Sequence, residues 1–430
     1  MKINIVWLRR DLRLLDNTAL NGALKADKPV LPVFIFDTLI LEELRTDDPR
    51  VQFIHDTITS IHLQLVAHQK GVLVRIGSPL DVWKSIFDEY EIDTVYFNRD
   101  YEPYALDRDA QIVYFLRENG INTSSHKDQV IFEKDEVLKP DGTPYTVFTP
   151  YKKKWLQLFG DHVEPNTPIN STIRFEKFLT TKTHLPTLEE IGFVGSTIKV
   201  IPFDLYSLQY YDQTRDYPSQ NNTSHLSPHL RFGTVSIRQI ANIARKENDT
   251  FLSELIWREF FMQILYHFPE VVTNNFKSKY DGIAWRNDQH EFNKWKNGKT
   301  GYPIVDAGMR ELNATGYMHN RVRMITASFL VKHLLIDWRW GEAYFAEKLL
   351  DYDLSANNGN WQWVAGTGCD AAPYFRIFNP TEQTKKFDPQ MRYIKKWIPE
   401  INELNYPTPI VDHQYARQRA LEAYKAGLNQ

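Results

Sequence analysis

Apolar and polar positions alternate in the first third of the chain so as to predict two kinds of element in turn. Short β-branched runs at Ile3–Leu8, Val30–Phe36, Val72–Ile76 and Thr94–Phe97 read as buried strands, and amphipathic stretches such as Val51–His68 between them read as helices. Such alternation implies a parallel sheet flanked by helices. No Gly-x-Gly-x-x-Gly follows the first strand, which excludes the usual mode of NAD binding there. From Lys139 to Ser207 the pattern loosens around Pro140-Asp141-Gly142, Pro165-Asn166, Pro168 and Pro186, predicting a long surface connection. Beyond Tyr210 apolar residues recur at helical spacing through Phe251–Phe268, Tyr302–Ala314, Asn320–Leu335 and Trp340–Leu350, which predicts an all-α second half. The expected organisation is an α/β parallel-sheet N-terminal domain over 1–130, a connection over 131–207 and a helical C-terminal domain over 208–430.

Composition narrows the function classes. At 430 residues, 42% of them hydrophobic, the chain can fill two cores. Its 51 Lys plus Arg against 54 Asp plus Glu give a net charge of −3, so any nucleic-acid site must be a local basic face. The single cysteine, Cys369, excludes an intramolecular disulfide framework and a multi-cysteine metal site. No metal is expected. The apolar-leaning run before Arg9-Arg10-Asp11-Leu12-Arg13 is too short for a signal segment, and no run approaches the length of a membrane span. A soluble, cytoplasmic, monomeric protein is the expectation.

Of 11 Trp, seven fall between Trp257 and Trp363, beyond what core packing alone asks for. A flat aromatic ligand, a base-stacking site or an electron-conducting chain would each favour that clustering. Within Phe251–Phe268, Glu254 and Trp257 share one helix face, with Arg258 beside them. A carboxyl among aromatics is costly to ionise, and a neutral Glu donates a hydrogen bond; an ion pair to a neighbouring Arg is the plainer alternative. Asn320 and Met324 lie one turn apart, offering an amide to a base edge and a thioether to a ring, with Arg321 placed for phosphate. Asp351 to Trp363 packs two carboxylates, amides and two Trp into thirteen positions, with Asn357-Asn358-Gly359 read as a helix end. Thr223-Ser224-His225-Leu226-Ser227-Pro228 puts hydroxyls at a helix N-terminus able to meet a pyrophosphate, or serving as a simple cap. Gly298-Lys299-Thr300 is not an ATP loop, because Asn293 stands where that pattern needs Gly.

These segments, in this order, resemble the photolyase and cryptochrome family. The most specific strings are Glu254-Leu-Ile-Trp-Arg-Glu-Phe260, Gly298-Lys-Thr-Gly-Tyr-Pro-Ile-Val-Asp306, Met318-His-Asn-Arg-Val-Arg-Met324 and the stretch from Trp361 to Pro380. The likeness is greatest to class I cyclobutane pyrimidine dimer photolyases, and it runs from Val6 nearly to the C-terminus. It implies light-dependent repair of pyrimidine dimers in DNA, with a fully reduced FAD in the helical domain as electron donor. Tyr211 and Thr223, Ser224, His225, Leu226 and Ser227 would hold its phosphates and ribityl chain. Arg323, Asp351, Tyr352, Asp353 and Asn357 would surround its rings, Arg323 pairing with Asp351 and Asn357 facing the central nitrogen. Glu254, Trp257, Asn320 and Met324 would contact the flipped lesion, Glu254 through a hydrogen bond to a pyrimidine carbonyl.

The resemblance also implies an electron chain that reduces oxidised flavin in light, from Trp361 through Trp338 to Trp285 at the surface. Arg215, Arg258, Arg321 and Gln383 match positions at the DNA face. For a second, antenna chromophore, Tyr104-Ala105 stands where folate binders carry Asn-Glu, which makes methenyltetrahydrofolate unlike this sequence. Arg10, Arg50, Asp100, Glu102 and Arg108 are closer to members that bind 8-hydroxy-5-deazaflavin, with FMN or no chromophore also open. The rival readings are a cryptochrome-type blue-light receptor with the same FAD and Trp chain, and a dark flavoprotein oxidoreductase, for which no nicotinamide fingerprint is present.

Overall fold

Residues 1–162, 173–220 and 222–429 are described in the computed structural model. They group into two compact units. The first holds Met1–Glu136, Trp155–Phe203 and His225–Lys246; the second holds Val137–Lys154, Asp204–Ser224 and Glu247–Gln430.

In the first unit five strands form one parallel sheet: β1 (Ile3–Leu8), β2 (Val30–Asp37), β3 (Leu73–Gly77), β4 (Ile92–Asn98) and β5 (Asn122–His126). Their order is β3-β2-β1-β4-β5, and helices such as Pro49–Val66, Pro79–Glu89 and Pro103–Glu118 fill the crossovers. β1 and β2 are buried throughout, and apolar apart from Asn4 and Asp37, because both faces are covered. One face packs Trp7, Val33, Trp83 and Val95 among others, the opposite face Val6, Phe34, Val74 and Phe178. Four strands lie where periodicity predicts them, and β5 is an addition. Its sequence Asn-Thr-Ser-Ser-His carries no apolar signal, and it forms by extending the ladder of β4 from Thr94↔Asn122 to Asn98↔His126.

The second unit is helical. Trp295, Met309, Phe329, Leu330, Trp338, Phe345 and Trp361 belong to its main core, and Trp285 packs against that core. Three expectations here need correction. The connection is not all surface loop: Phe148–His162 is a helix, and Phe148, Tyr151, Trp155 and Phe159 on it are buried. Pro165, Asn166 and Pro168 lie outside the described residues. Asn357-Asn358-Gly359 does not end a helix but sits inside Leu354–Ala365, which stops at Gly366 with φ 89°. A side chain at Gly359 would place its Cβ 2.2 Å from the Phe261 ring, so close packing, not a left-handed turn, sets that glycine. Finally, the segment from Asn320 is α-helical only through Ser328 and continues as a π-helical turn over Phe329–His333.

Candidate functional site

The helix Asp249–His267 buries residues nearly all round, yet leaves Glu254, Trp257 and Arg258 half-buried along one side. Glu254 is not a carboxyl isolated among rings: Arg215 Nη1 donates to its Oε1 at 2.6 Å, the ion pair being the arrangement built. Next in sequence, Asp216 accepts from Arg321 Nη2 at 2.6 Å, and Arg321 Nη1 lies 3.7 Å from Met324 Sδ. The dipeptide Arg215-Asp216 therefore ties the helix of Glu254 to the helix Asn320–Ser328. Asn320 is the exposed first residue of that helix. Arg215 and Arg321 are thus engaged by carboxylates rather than standing as free cations. Arg321 also lies over Phe387, at the end of the helix Pro380–Phe387 that carries Gln383.

One residue before Met324, Arg323 belongs to a second polar group. Arg323 donates to Met318 O at 2.8 Å and to Asp351 Oδ2 at 2.9 Å. Asp351 Oδ1 is buried and meets no hydrogen-bond donor among the described residues. A buried carboxylate oxygen without a partner is costly unless a ligand donor reaches it. Asn357 spends both N–H groups on Glu342, at 3.1 Å to its backbone O and 2.9 Å to Oε1. Its carbonyl Oδ1 is thereby the end available elsewhere. Burial pushes the Glu342 carboxyl up from its ordinary range. Asp353 caps its own helix, accepting from Ser355 Oγ at 2.5 Å and Ala356 N at 3.3 Å, and Tyr352 is half-buried beside it.

Tyr211 packs its ring edge against Phe251 at 5.1 Å; burial, then the charge of Glu254, pushes its phenol up. Thr223 Oγ1 lies 3.1 Å from Tyr317 Oη, so this hydroxyl serves a side chain and not a helix end. Ser224 is buried; the helix Leu226–Phe232 in the first unit begins after His225, whose φ is 52°, and its Ser227 is exposed. A free oxygen at Asp351, an oriented amide at Asn357 and the Arg323 guanidinium fit the polar edge of a flavin, whose ring offers both donors and acceptors.

Of the three Trp of the expected electron chain, Trp361 and Trp338 are buried and Trp285 is half-buried rather than fully at the surface. Trp361 lies over Gly341, where a Cβ would come within 2.1 Å of its ring. It also packs against Phe345 and Trp295, with centroids at 5.0 and 6.3 Å. Trp338 Nε1 donates to Asn275 Oδ1 at 2.9 Å, and Trp285 meets Tyr424 edge-on at 5.9 Å.

In the first unit the candidate antenna residues are joined to one another or to neighbours. Arg10 Nη1 pairs with Asp100 at 3.1 Å and Glu102 at 2.8 Å, and Arg231 Nη1 reaches the same Glu102 oxygen at 2.8 Å. Burial raises Asp100, but Arg10, Arg108 and Arg9 outweigh it and hold the carboxyl below its ordinary range. Arg50 pairs with Asp48 at 2.6 Å; Arg108 pairs with Asp109 at 2.9 Å and lies over Trp7. Tyr104 donates to Asp37 Oδ2 at 2.6 Å. Sequence reading missed Asp216, Glu342 and Phe148. Only Phe148 left a signal, the helical spacing of Phe148, Tyr151, Trp155 and Phe159. Among the described residues no group of His, Cys, Asp and Glu could hold a metal ion, and no helix is long and apolar enough to cross a membrane.

Comparison with known proteins gives two family matches: DNA photolyase over residues 4–169 and the FAD binding domain of DNA photolyase over residues 251–405. The chain is 36% identical to the deoxyribodipyrimidine photo-lyase of Halobacterium salinarum, covering 98% of this chain and 99% of the relative. Among solved structures, a bacterial class III photolyase from Agrobacterium tumefaciens superposes with a TM-score of 0.89 at 34% identity, over 100% of this chain and 98% of that one. An archaeal photolyase from Sulfolobus tokodaii with two FAD molecules does so with 0.86 at 36% identity, over 98% and 99%.

Proposed function

Because the chain belongs to the DNA photolyase family, we propose that it repairs cyclobutane pyrimidine dimers in DNA using light, with FAD held in its helical unit. Bound there in reduced form, FAD supplies a light-excited electron that opens the cyclobutane ring and is then recovered, leaving no net redox change. The observation that carries this reading is the ion-pair chain Glu254–Arg215-Asp216–Arg321–Met324, which gathers the four candidate lesion residues' helices into one surface.

On that surface each side chain has a task of its own. Trp257 offers an aromatic face to a base flipped out of the duplex, and flipping costs least for a damaged base. Asn320, exposed at its helix start, reaches a base edge, and Met324 packs on the ring. Glu254 meets a pyrimidine carbonyl once Arg215 turns to a phosphate. Arg215, Arg258, Arg321 and Gln383 form the DNA face, so binding is salt-dependent in spite of the net charge of −3. Within the helical unit, Asp351 Oδ1, Arg323 and Asn357 Oδ1 orient the flavin ring, and Trp361, Trp338 and Trp285 form the path for its photoreduction.

A second chromophore belongs in the first unit. The strand order reverses between β1 and β4, and in such sheets ligands sit beyond the carboxyl ends of the strands at that point. Arg10 follows β1, and Asp100 and Glu102 follow β4. Tyr104 bound to Asp37 disfavours folate there. 8-Hydroxy-5-deazaflavin is the favoured chromophore, ahead of FMN; the Sulfolobus relative with two FAD molecules adds FAD to the choices.

The test is illumination of the FAD-loaded protein with oligonucleotides carrying a cyclobutane dimer or a (6-4) product. Restoration of only the former is expected, and restoration of neither favours the blue-light receptor. Glu254→Ala should lower the quantum yield about threefold or more, a loss of roughly 0.7 kcal/mol or more in the productive step. DNA affinity should be largely kept, and an unchanged yield would remove Glu254 from the assigned role.

A further inference from the structure

We propose that Phe148 is the positioning residue for lesion recognition, acting through Trp257; the proposal rests on Trp257 stacking against a flipped base. Within the helical unit the two rings lie face to face, with centroids 3.6 Å apart and planes inclined by 8°. One face of the indole is therefore spent on Phe148, and only the other can receive a base. Phe260 stands edge-on to both rings, at 5.8 Å from Phe148 and 5.6 Å from Trp257, and Phe261 flanks the indole at 5.4 Å.

Phe148 is itself held in place. It is 7% exposed and opens the helix Phe148–His162, so its backbone N–H has no partner within that helix. Asp370, 222 positions away, supplies one: the N–H donates to its Oδ2 at 3.0 Å. The cap fixes the start of the helix, the helix start fixes Phe148, and Phe148 fixes the indole.

A half-buried Trp without such a backing samples several rotamers, and freezing it on binding costs affinity. Phe148 settles the ring before DNA arrives. Bases that stay stacked in an intact duplex do not reach Trp257, so the gain falls on flipped nucleotides alone. Phe148 thus raises discrimination between damaged and undamaged DNA without raising affinity for DNA in general.

The experiment titrates FAD-loaded protein with a short oligonucleotide containing one thymine dimer, and with its undamaged twin, at one salt concentration. Phe148→Leu keeps an apolar plug without a flat face, and Phe148→Met does the same should the Leu variant fold poorly. Either should weaken dimer binding about three- to tenfold. Undamaged DNA should bind as before, and Phe148→Tyr should behave as the parent. In a Trp257→Ala background, Phe148→Leu should add no further loss. Unchanged dimer affinity in Phe148→Leu, an equal loss on both DNAs, or failure of Tyr to rescue overturns the proposal. Trp257→Ala binding the dimer normally overturns instead the lesion-stacking reading on which it rests.

Discussion

The candidate chromophore residues of the sheet unit and the candidate flavin residues of the helical unit are both charged and largely removed from solvent, but their valences are spent differently. Arg10, Arg50, Asp100, Glu102 and Arg108 are each engaged in an ion pair within the sheet unit. In the helical unit Asp351 is bound by Arg323 through one oxygen and keeps the other without a donor. Asn357 likewise gives both its donors to Glu342 and holds back its acceptor. A polar cluster that satisfies itself is stable with or without a ligand, whereas one with a buried unpaired oxygen is completed by a ligand. The candidate DNA-face residues stand between these cases. A phosphate reaching them would have to compete with Glu254 for Arg215 and with Asp216 for Arg321, which would lower affinity for any nucleic acid that brings no other contacts.

The comparison is broken most severely by Asp351→Ala. Removing that carboxylate leaves the Arg323 guanidinium without its charge partner and should cost about 3 kcal/mol. A fall in the urea midpoint with reduced FAD content would show it, and a loss under 1 kcal/mol would mean that the pair contributes little.

Acid acts on both sides of the contrast. His319 caps the Asn320–Ser328 helix by accepting from Arg321 N at 3.2 Å, and burial, with Arg323 and Arg321 nearby, lowers its pKa from the ordinary 6.5 to about 4. The unfolded chain therefore binds the extra proton first. Stability is fully present above pH 6.5 and falls as pH drops toward 4, by up to about 1.4 kcal/mol per pH unit. His333, lowered to about 3 by burial with His413 and Arg419 adding, acts in the same direction. In the sheet unit Asp100 and Asp128 sit below the ordinary 3.8 for a carboxylate, so their contribution persists above that pH and is lost only lower. Burial lowers His62, His126 and His229 of the sheet unit as well, so urea titrations between pH 7.5 and 4.5 should show both units losing stability as the pH falls. His319→Asn, which keeps a capping oxygen, should flatten the slope.

The smallest effect belongs to the sheet unit. Glu102→Gln removes the charge shared by Arg10 and Arg231, but Arg10 keeps Asp100. A loss of about 1 kcal/mol in thermal or chemical unfolding is expected, with FAD content unchanged. A larger loss would mean that the cluster is not redundant.

The strands were legible where burial on both faces demanded apolar runs, as in β1 and β2. β5 was not, because an edge strand needs only a neighbour's ladder, and Asn-Thr-Ser-Ser-His offers no periodic signal. The helix Phe148–His162 was obscured for a different reason: proline and glycine on either side outweighed four apolar residues at helical spacing. In the site, residue types and spacing pointed to Glu254, Trp257, Asn320 and Met324. The pairings around them could not be read, since Arg215 with Glu254, Phe148 with Trp257, Asp216 with Arg321 and Glu342 with Asn357 meet only through tertiary packing.

The polar edge strand has a consequence beyond the sheet it completes. A parallel sheet that ended on β4 would present a row of unpaired backbone N–H and C=O groups to any other chain. β5 covers that ladder with a short strand whose hydroxyls and amides prefer water to a neighbouring polypeptide. Its presence discourages strand-to-strand aggregation during synthesis and after partial unfolding, when colloidal survival matters more than catalysis.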